Sequence, residues 1–185
     1  MRLRRGPISR HRMAFSLYDV SIPVMIRGLG IMSQYLEQAS AFAAENNISP
    51  TVLVEARLAP DMLPLAGQVQ RASDNAKGAI ARLTGREMPS FPDNETTFAD
   101  LQERIKKTVS LLEAVDPDEF KDSEDRHVEM RFGGVDNVLR RDTYALTFLL
   151  PSFFFHVTTM HNILRHNGLK IGKEDYIGAL TRVET

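Results

Sequence analysis

The feature that most constrains this chain is the recurrence of apolar residues at steps of three, four and seven. Ile22, Met25, Leu29, Met32, Leu36 and Ala43 fall on one stripe of a helix. Met62, Leu65, Val69, Ala76, Ile80 and Leu83 make a second stripe, and Phe98, Leu101, Ile105, Val109 and Leu112 a third. Leu149, Phe153, Met160 and Ile163 make a fourth. Such faces cannot be buried singly, so the helices must cover one another. The pattern predicts an all-α fold, a four-helix bundle with antiparallel neighbours or, if the longest connection crosses over, a crossover topology.

Punctuation residues set the expected boundaries. Helix one runs from Ser16 or Ser21 to Glu45, with Pro23 tolerated near its start and Asn46-Asn47 ending it. Ser49-Pro50 predicts a short helix over Thr51 to Arg57. Asp61 is expected to cap helix two, with Pro64 in its first turn and Gly85 closing it. Thr97 with Asp100 reads as a capping box opening helix three, which stops near Asp116-Pro117. His127 to Phe132 alternates polar and apolar residues, Gly133-Gly134 can turn, and Val135 to Leu139 can return, so a small β-hairpin is expected between helices three and four. Asp142 is expected to cap helix four, which reaches His166 with a kink at Pro151 and stops at Asn167-Gly168.

Length and charge bound the rest. At 185 residues the chain makes one domain, read here as residues 13–185. The basic stretch of residues 1–12 reads as a disordered N-terminal extension, with Met13 as an alternative start. Cysteine is absent, which suits a cytoplasmic location and removes every thiolate ligand or nucleophile. A net charge of -1 gives no field to draw the chain onto nucleic acid. The most apolar segment, Tyr144 to Phe155, is too short and too interrupted to cross a membrane.

Candidate chemistry gathers on helices two and four. His156, His161 and His166 are five apart, which places them about 140° from one another, so they cannot share one ion. His156 lies with Ser152, Phe153 and Met160 on the face expected to be buried. His161 falls on the opposite side, toward solvent or a subunit contact, and His166 in the last turn. Asp61, Gln68 and Asn75, seven apart, line the edge of the apolar face of helix two and can meet His156 across the interior. His156 would then be a catalytic base or metal ligand, with Asp61 as second ligand and Gln68, Asn75 and Tyr18 as ligand-binding groups. The same residues also read as a satisfied polar patch at the edge of a core. Arg57, Arg71 and Arg82 offer either an anionic-ligand site or pairing with Asp61, Asp74 and Glu55, and pairing is expected. Phe153-Phe154-Phe155 cannot all face one way, which suggests a homodimer. Gly28-Leu-Gly30 sits inside an amphipathic helix without a preceding strand and is no dinucleotide fingerprint.

The segments Leu58-Ala-Pro-Asp-Met-Leu-Pro-Leu65, Gln68 to Asp74, Phe91-Pro-Asp-Asn-Glu-Thr-Thr-Phe98, Pro151 to His156 and Ile163 to Gly168, with Ile171-Gly-Lys173, carry a resemblance. Over Met13 to Gly178 the chain resembles an uncharacterised bacterial and fungal domain family grouped with the DinB-like (DinB/YfiT-like) superfamily of proposed metalloenzymes. The resemblance implies a DinB-like four-helix bundle, often dimeric, and in some members a divalent metal such as Zn, Ni, Fe or Mn held by three histidines. This chain departs from that pattern. Gln68 stands where a histidine would be useful, His156 alone carries over from helix four, and His161 takes a position that resembles a tyrosine in the family. Two readings follow: a small-molecule or divalent-metal site near His156, or a non-catalytic dimeric bundle that binds a ligand or a partner protein.

Overall fold

The computed structural model describes residues 15–121 and 126–180. The expected extension over residues 1–12 lies outside them. Among the described residues the order is α1 (Ile22–Glu45), α2 (Pro50–Val54), α3 (Leu65–Thr84), α4 (Phe98–Glu113), a 3-10 turn at Pro117–Phe120, β1 (His127–Phe132), β2 (Val135–Arg140), α5 (Arg141–Tyr144), a π-helical turn (Ala145–Leu149), α6 (Leu150–His166) and α7 (Lys173–Ile177). No helix among these residues is long and apolar enough to cross a membrane.

Several boundaries follow the local chemistry directly. α1 begins behind Ser21 with Pro23 in its first turn, where a missing N–H costs nothing, and ends at Asn46 before the left-handed Asn47 (φ 52°). Gly85 closes α3 in the left-handed region (φ 84°). Thr97 and Asp100 cap α4 reciprocally, each side chain taking a backbone N–H of the other residue. Gly133 and Gly134 both have positive φ, which a two-residue hairpin turn of right-handed strands requires. The register pairs Phe132 with Val135 and His127 with Arg140.

Two expectations about starts fail, and one about an end. Asp61 does not cap α3; the helix starts behind Pro64, because a residue before proline is pushed out of the helical region and no helix can run through Leu63. The short helix begins behind Ser49 with Pro50 in its first turn, as expected, but spans Pro50–Val54 and stops short of Arg57. Asp142 is not the cap of the last long helix; Arg140 takes that place, and Asp142 lies in the first turn, where its charge still favours the dipole.

The core draws on α1, α3, α4 and α6, with Met25, Leu29, Met32, Leu36, Val69, Ile80, Leu101, Phe153 and Val157 buried. α3 packs on α4 and α6, and α1 on the same two. The helix directions differ from an all-antiparallel arrangement. Gln70 meets Glu95 before α4, and Arg86 after α3 meets the Ala114 carbonyl after α4, so α3 and α4 run parallel. Gly28 abuts Phe153 and Tyr35 bonds His161, so α1 and α6 also run parallel to each other. α3 and α6 run opposite ways, since Asn75 bonds Ser152 while Gln68 bonds His156. The crossover is therefore residues 85–97, an extended return along the helices, and not the hairpin connection.

Pro151 acts through the turn before it. It cannot donate to Thr147, and the preceding Ala145–Leu149 turn is widened to a π-helix in which Leu150 N–H reaches the Ala145 carbonyl. The added residue resets the angular register of α6, and Ser152 and His156 then face α3.

Candidate functional site

The seam between α3 and α6 brings His156 to Gln68. The Gln68 side chain is 99% buried, being 1% exposed, and its amide Nε2 donates to the Leu63 carbonyl at 2.9 Å. That bond orients the amide, so Oε1 faces His156 Nδ1 at 2.8 Å and must accept. His156 therefore carries its proton on Nδ1, and no partner for the Nε2 lone pair is found among the described residues. Burial, helped by the Arg71 charge, pushes its pKa down to about 4, so the ring is neutral near pH 7. Phe155 stands edge-on to the imidazole at 5.4 Å. One turn of α6 earlier, Asn75 Nδ2 donates to Ser152 Oγ at 3.0 Å and continues the polar line.

Two of the expected site residues lie elsewhere. Asp61 is exposed in the turn before α3 and makes none of the hydrogen bonds or ion pairs found among the described residues. Because α3 starts later than expected, Asp61 loses the helical register that would have aligned it with Gln68. Tyr18 packs edge-on against Phe120 at 5.7 Å. Phe120 in turn accepts from Arg141, which also bonds the Leu83 carbonyl, so Tyr18 belongs to the far end of α3, about 22 Å along the helix from Gln68. His161 is not turned to solvent: its Nδ1 bonds the buried Tyr35 hydroxyl at 2.9 Å, and Tyr176 of α7 covers it edge-on. Of the three arginines, Arg71 pairs with Asp74 at 3.2 Å as expected, Arg57 bonds the Met62 carbonyl instead of a carboxylate, and Arg82 lies over the Tyr144 ring.

A larger polar cluster was not anticipated. Arg104, 3% exposed, bonds Glu95 at 2.8 Å, Asp74 at 2.9 Å, Asp93 at 3.0 Å and the Pro92 carbonyl at 3.1 Å. Lys77, also buried, reaches Asp74 at 3.2 Å and stands 4.0 Å over the Phe91 ring. Glu95 receives Gln70 as well. Burial alone would raise the Glu95 pKa, but bonds from Arg104 and Gln70 outweigh it and hold the carboxyl below its usual range. The signal lay in the third stripe: Arg104 and Thr108 sit three and seven residues after Leu101, on its buried face. The segment Phe91 to Phe98 is thereby fastened to α3 and α4, and the cluster reads as the clasp of the crossover rather than a reactive centre.

A metal held by three side chains does not fit these residues. The Gln68 oxygen is engaged by Nδ1–H, His156 offers one lone pair, and Asp61 stands apart. Among the described residues no three His, Asp or Glu side chains gather closely enough to hold an ion. His161 and His156 bond different helices, His161 to Tyr35 of α1 and His156 to Gln68 of α3.

Comparison with known proteins gives the same framework. Residues 17–177 match the model of a domain of unknown function, DUF1993. Among solved structures, a DinB family member protein from Shewanella denitrificans is similar over 91% of this chain and 96% of its own, at 34% identity and a TM-score of 0.84. No curated protein matches. With the family pattern running from the turn before α1 to the end of α7, and a DinB family structure superimposing on nearly all of it, this chain belongs to the DUF1993 family and has a mostly helical, DinB-like fold.

Proposed function

We propose that this protein is a cytoplasmic four-helix bundle, with α1 and α6 running one way and α3 and α4 the other, that binds a small molecule at the α3–α6 seam. The observation that carries the reading is the chain of fixed groups from the Leu63 carbonyl through the Gln68 amide to His156 Nδ1–H, which presents a neutral ring with Nε2 as acceptor. A ligand hydroxyl or N–H is the complement of that lone pair. Binding suits the ring better than general base catalysis. A conjugate acid of pKa about 4 holds a proton too weakly for efficient transfer near neutrality.

The test labels the histidine rings with 15N and follows Nε2 of His156 during titration with small hydrogen-bond donors, namely a panel of phenols and primary amides. A saturable shift is expected, abolished in His156→Phe and weakened on the order of 10-fold in Gln68→Leu, which frees the ring to rotate. No shift with any donor, from a wild-type ring confirmed as the Nδ1–H tautomer, would sink the reading. Stoichiometric Zn, Ni, Fe or Mn in untagged protein, lost in His156→Ala, would replace it with a metal site.

A second reading, a dimeric interaction module, is favoured by the hairpin. Phe132, Val135 and Val138 are each more than 60% exposed, and the Phe132 ring meets Phe148 edge-on.

A further inference from the structure

The hairpin has two faces with different chemistry. Opposite residues share a face, so Val128, Met130, Phe132, Val135, Asn137 and Leu139 form one, turned to the helices at its base where Val128 is buried. His127, Glu129, Arg131, Asp136, Val138 and Arg140 form the other, and all six are exposed. A hairpin with two glycines in its turn makes Phe132 and Val135 the pair that exchanges main-chain hydrogen bonds. The alternation then directs the N–H and C=O of Asp136 and Val138, and the N–H of Arg140, away from β1. No backbone bond from these groups to another element is found among the described residues.

That outer edge is complementary to itself. Asp136 and Arg140 lie two residues either side of Val138 and carry opposite charges. An edge guarded against association would carry like charges or proline, so that an antiparallel copy would be repelled. Here an antiparallel copy centred on Val138 meets the opposite charge twice, Asp136 facing Arg140 of the second copy and Arg140 facing its Asp136. The two Val138 side chains, each 66% exposed in the single chain, cover one another at the axis. The present partners do not oppose the exchange. Arg131 pairs with Asp136, and Arg140 with Asp142, as exposed surface pairs that rearrange at little cost.

We propose that two copies of this chain associate by antiparallel pairing of β2 with β2 about Val138, completing a four-stranded sheet across a twofold axis. A two-stranded sheet is marginal by itself, and doubling it relieves both open edges at the centre. This inference rests on the dimer reading above and is independent of the His156 site.

Sedimentation equilibrium of the full chain in about 50 mM salt tests it, where charge contributions are least screened. The expected wild-type mass is twice 20.9 kDa. Asp136→Arg and Arg140→Asp, each placing like charges opposite one another twice, are expected to weaken association on the order of 10-fold, and the double exchange to restore it. Val138→Pro, which removes the central N–H, is expected to be monomeric, with far-UV circular dichroism confirming that the helices persist. A monomeric wild type at millimolar concentration would overturn both the interface and the dimer reading. A dimer indifferent to all four variants would overturn the interface alone and point to another surface.

Discussion

At the scale of single residues, His156 shows how one buried amide can set the state of a ring. Its folded pKa, about 4, lies below the ordinary 6.5, so between these values the unfolded chain takes up a proton that the folded ring refuses. The contribution to stability is therefore complete above about pH 6.5 and is lost as the pH falls toward 4. By pH 5 the loss is expected to be about 1–2 kcal/mol after allowance for partial exposure. Urea midpoints at pH 7 and pH 5 check this. The wild type should lose more between the two than His156→Gln, which does not titrate, and equal losses would contradict a depressed pKa. The pairing of Gln68 and Asn75 with α6 was legible because seven-residue spacing on a helix survives almost any packing. Asp61 and Tyr18 were not placed correctly, since both lie where the chain leaves regular helix and spacing no longer fixes direction.

At the scale of elements, α1 and α6 approach closely at Gly28. A Cβ on Gly28 would stand 2.4 Å from the Phe153 ring, and that ring is fully buried and has nowhere to move. Gly30, two residues on, has open space around the same position. Gly28→Ala is expected to destabilise by about 1–3 kcal/mol through overpacking. Gly30→Ala should stabilise by about 0.5–1 kcal/mol by restricting the unfolded backbone. Thermal melts of the two variants should shift in opposite directions; a shared direction would show that α1 and α6 do not approach at Gly28. Element boundaries with reciprocal chemistry, the Thr97–Asp100 box and the Gly133-Gly134 turn, could be read from sequence because the signal and the structure are the same few atoms. The π-helical turn could not. It arises from a conflict between Pro151 and the helix before it, and either a kink or a widened turn resolves that conflict.

At the scale of the whole molecule, the parallel pair of α3 and α4 is the least local feature, and sequence patterning missed it. Amphipathic stripes say which faces are buried but are silent on helix direction, and a 13-residue link can turn tightly or run back along a helix. The Arg104 cluster gathers α3, the return segment and α4 at one guanidinium. Arg104→Ala is expected to cost about 3–5 kcal/mol because three carboxylates lose their shared partner. Arg104→Lys should recover little of it, since an ammonium cannot bridge that fork. Guanidinium chloride unfolding measures both, and a loss below 1 kcal/mol for Arg104→Ala would show that packing alone holds the return segment.

That guanidinium also acts as a check on threading. If the same four helices collapsed with α3 and α4 head to tail, the hydrocarbon faces would still find cover, yet the cation would enter the interior with Asp93 and Glu95 carried to the wrong end. Only the native route of the chain delivers all of its counter-charges at once, so one arginine makes the mirror-like alternative expensive where oily contacts are indifferent.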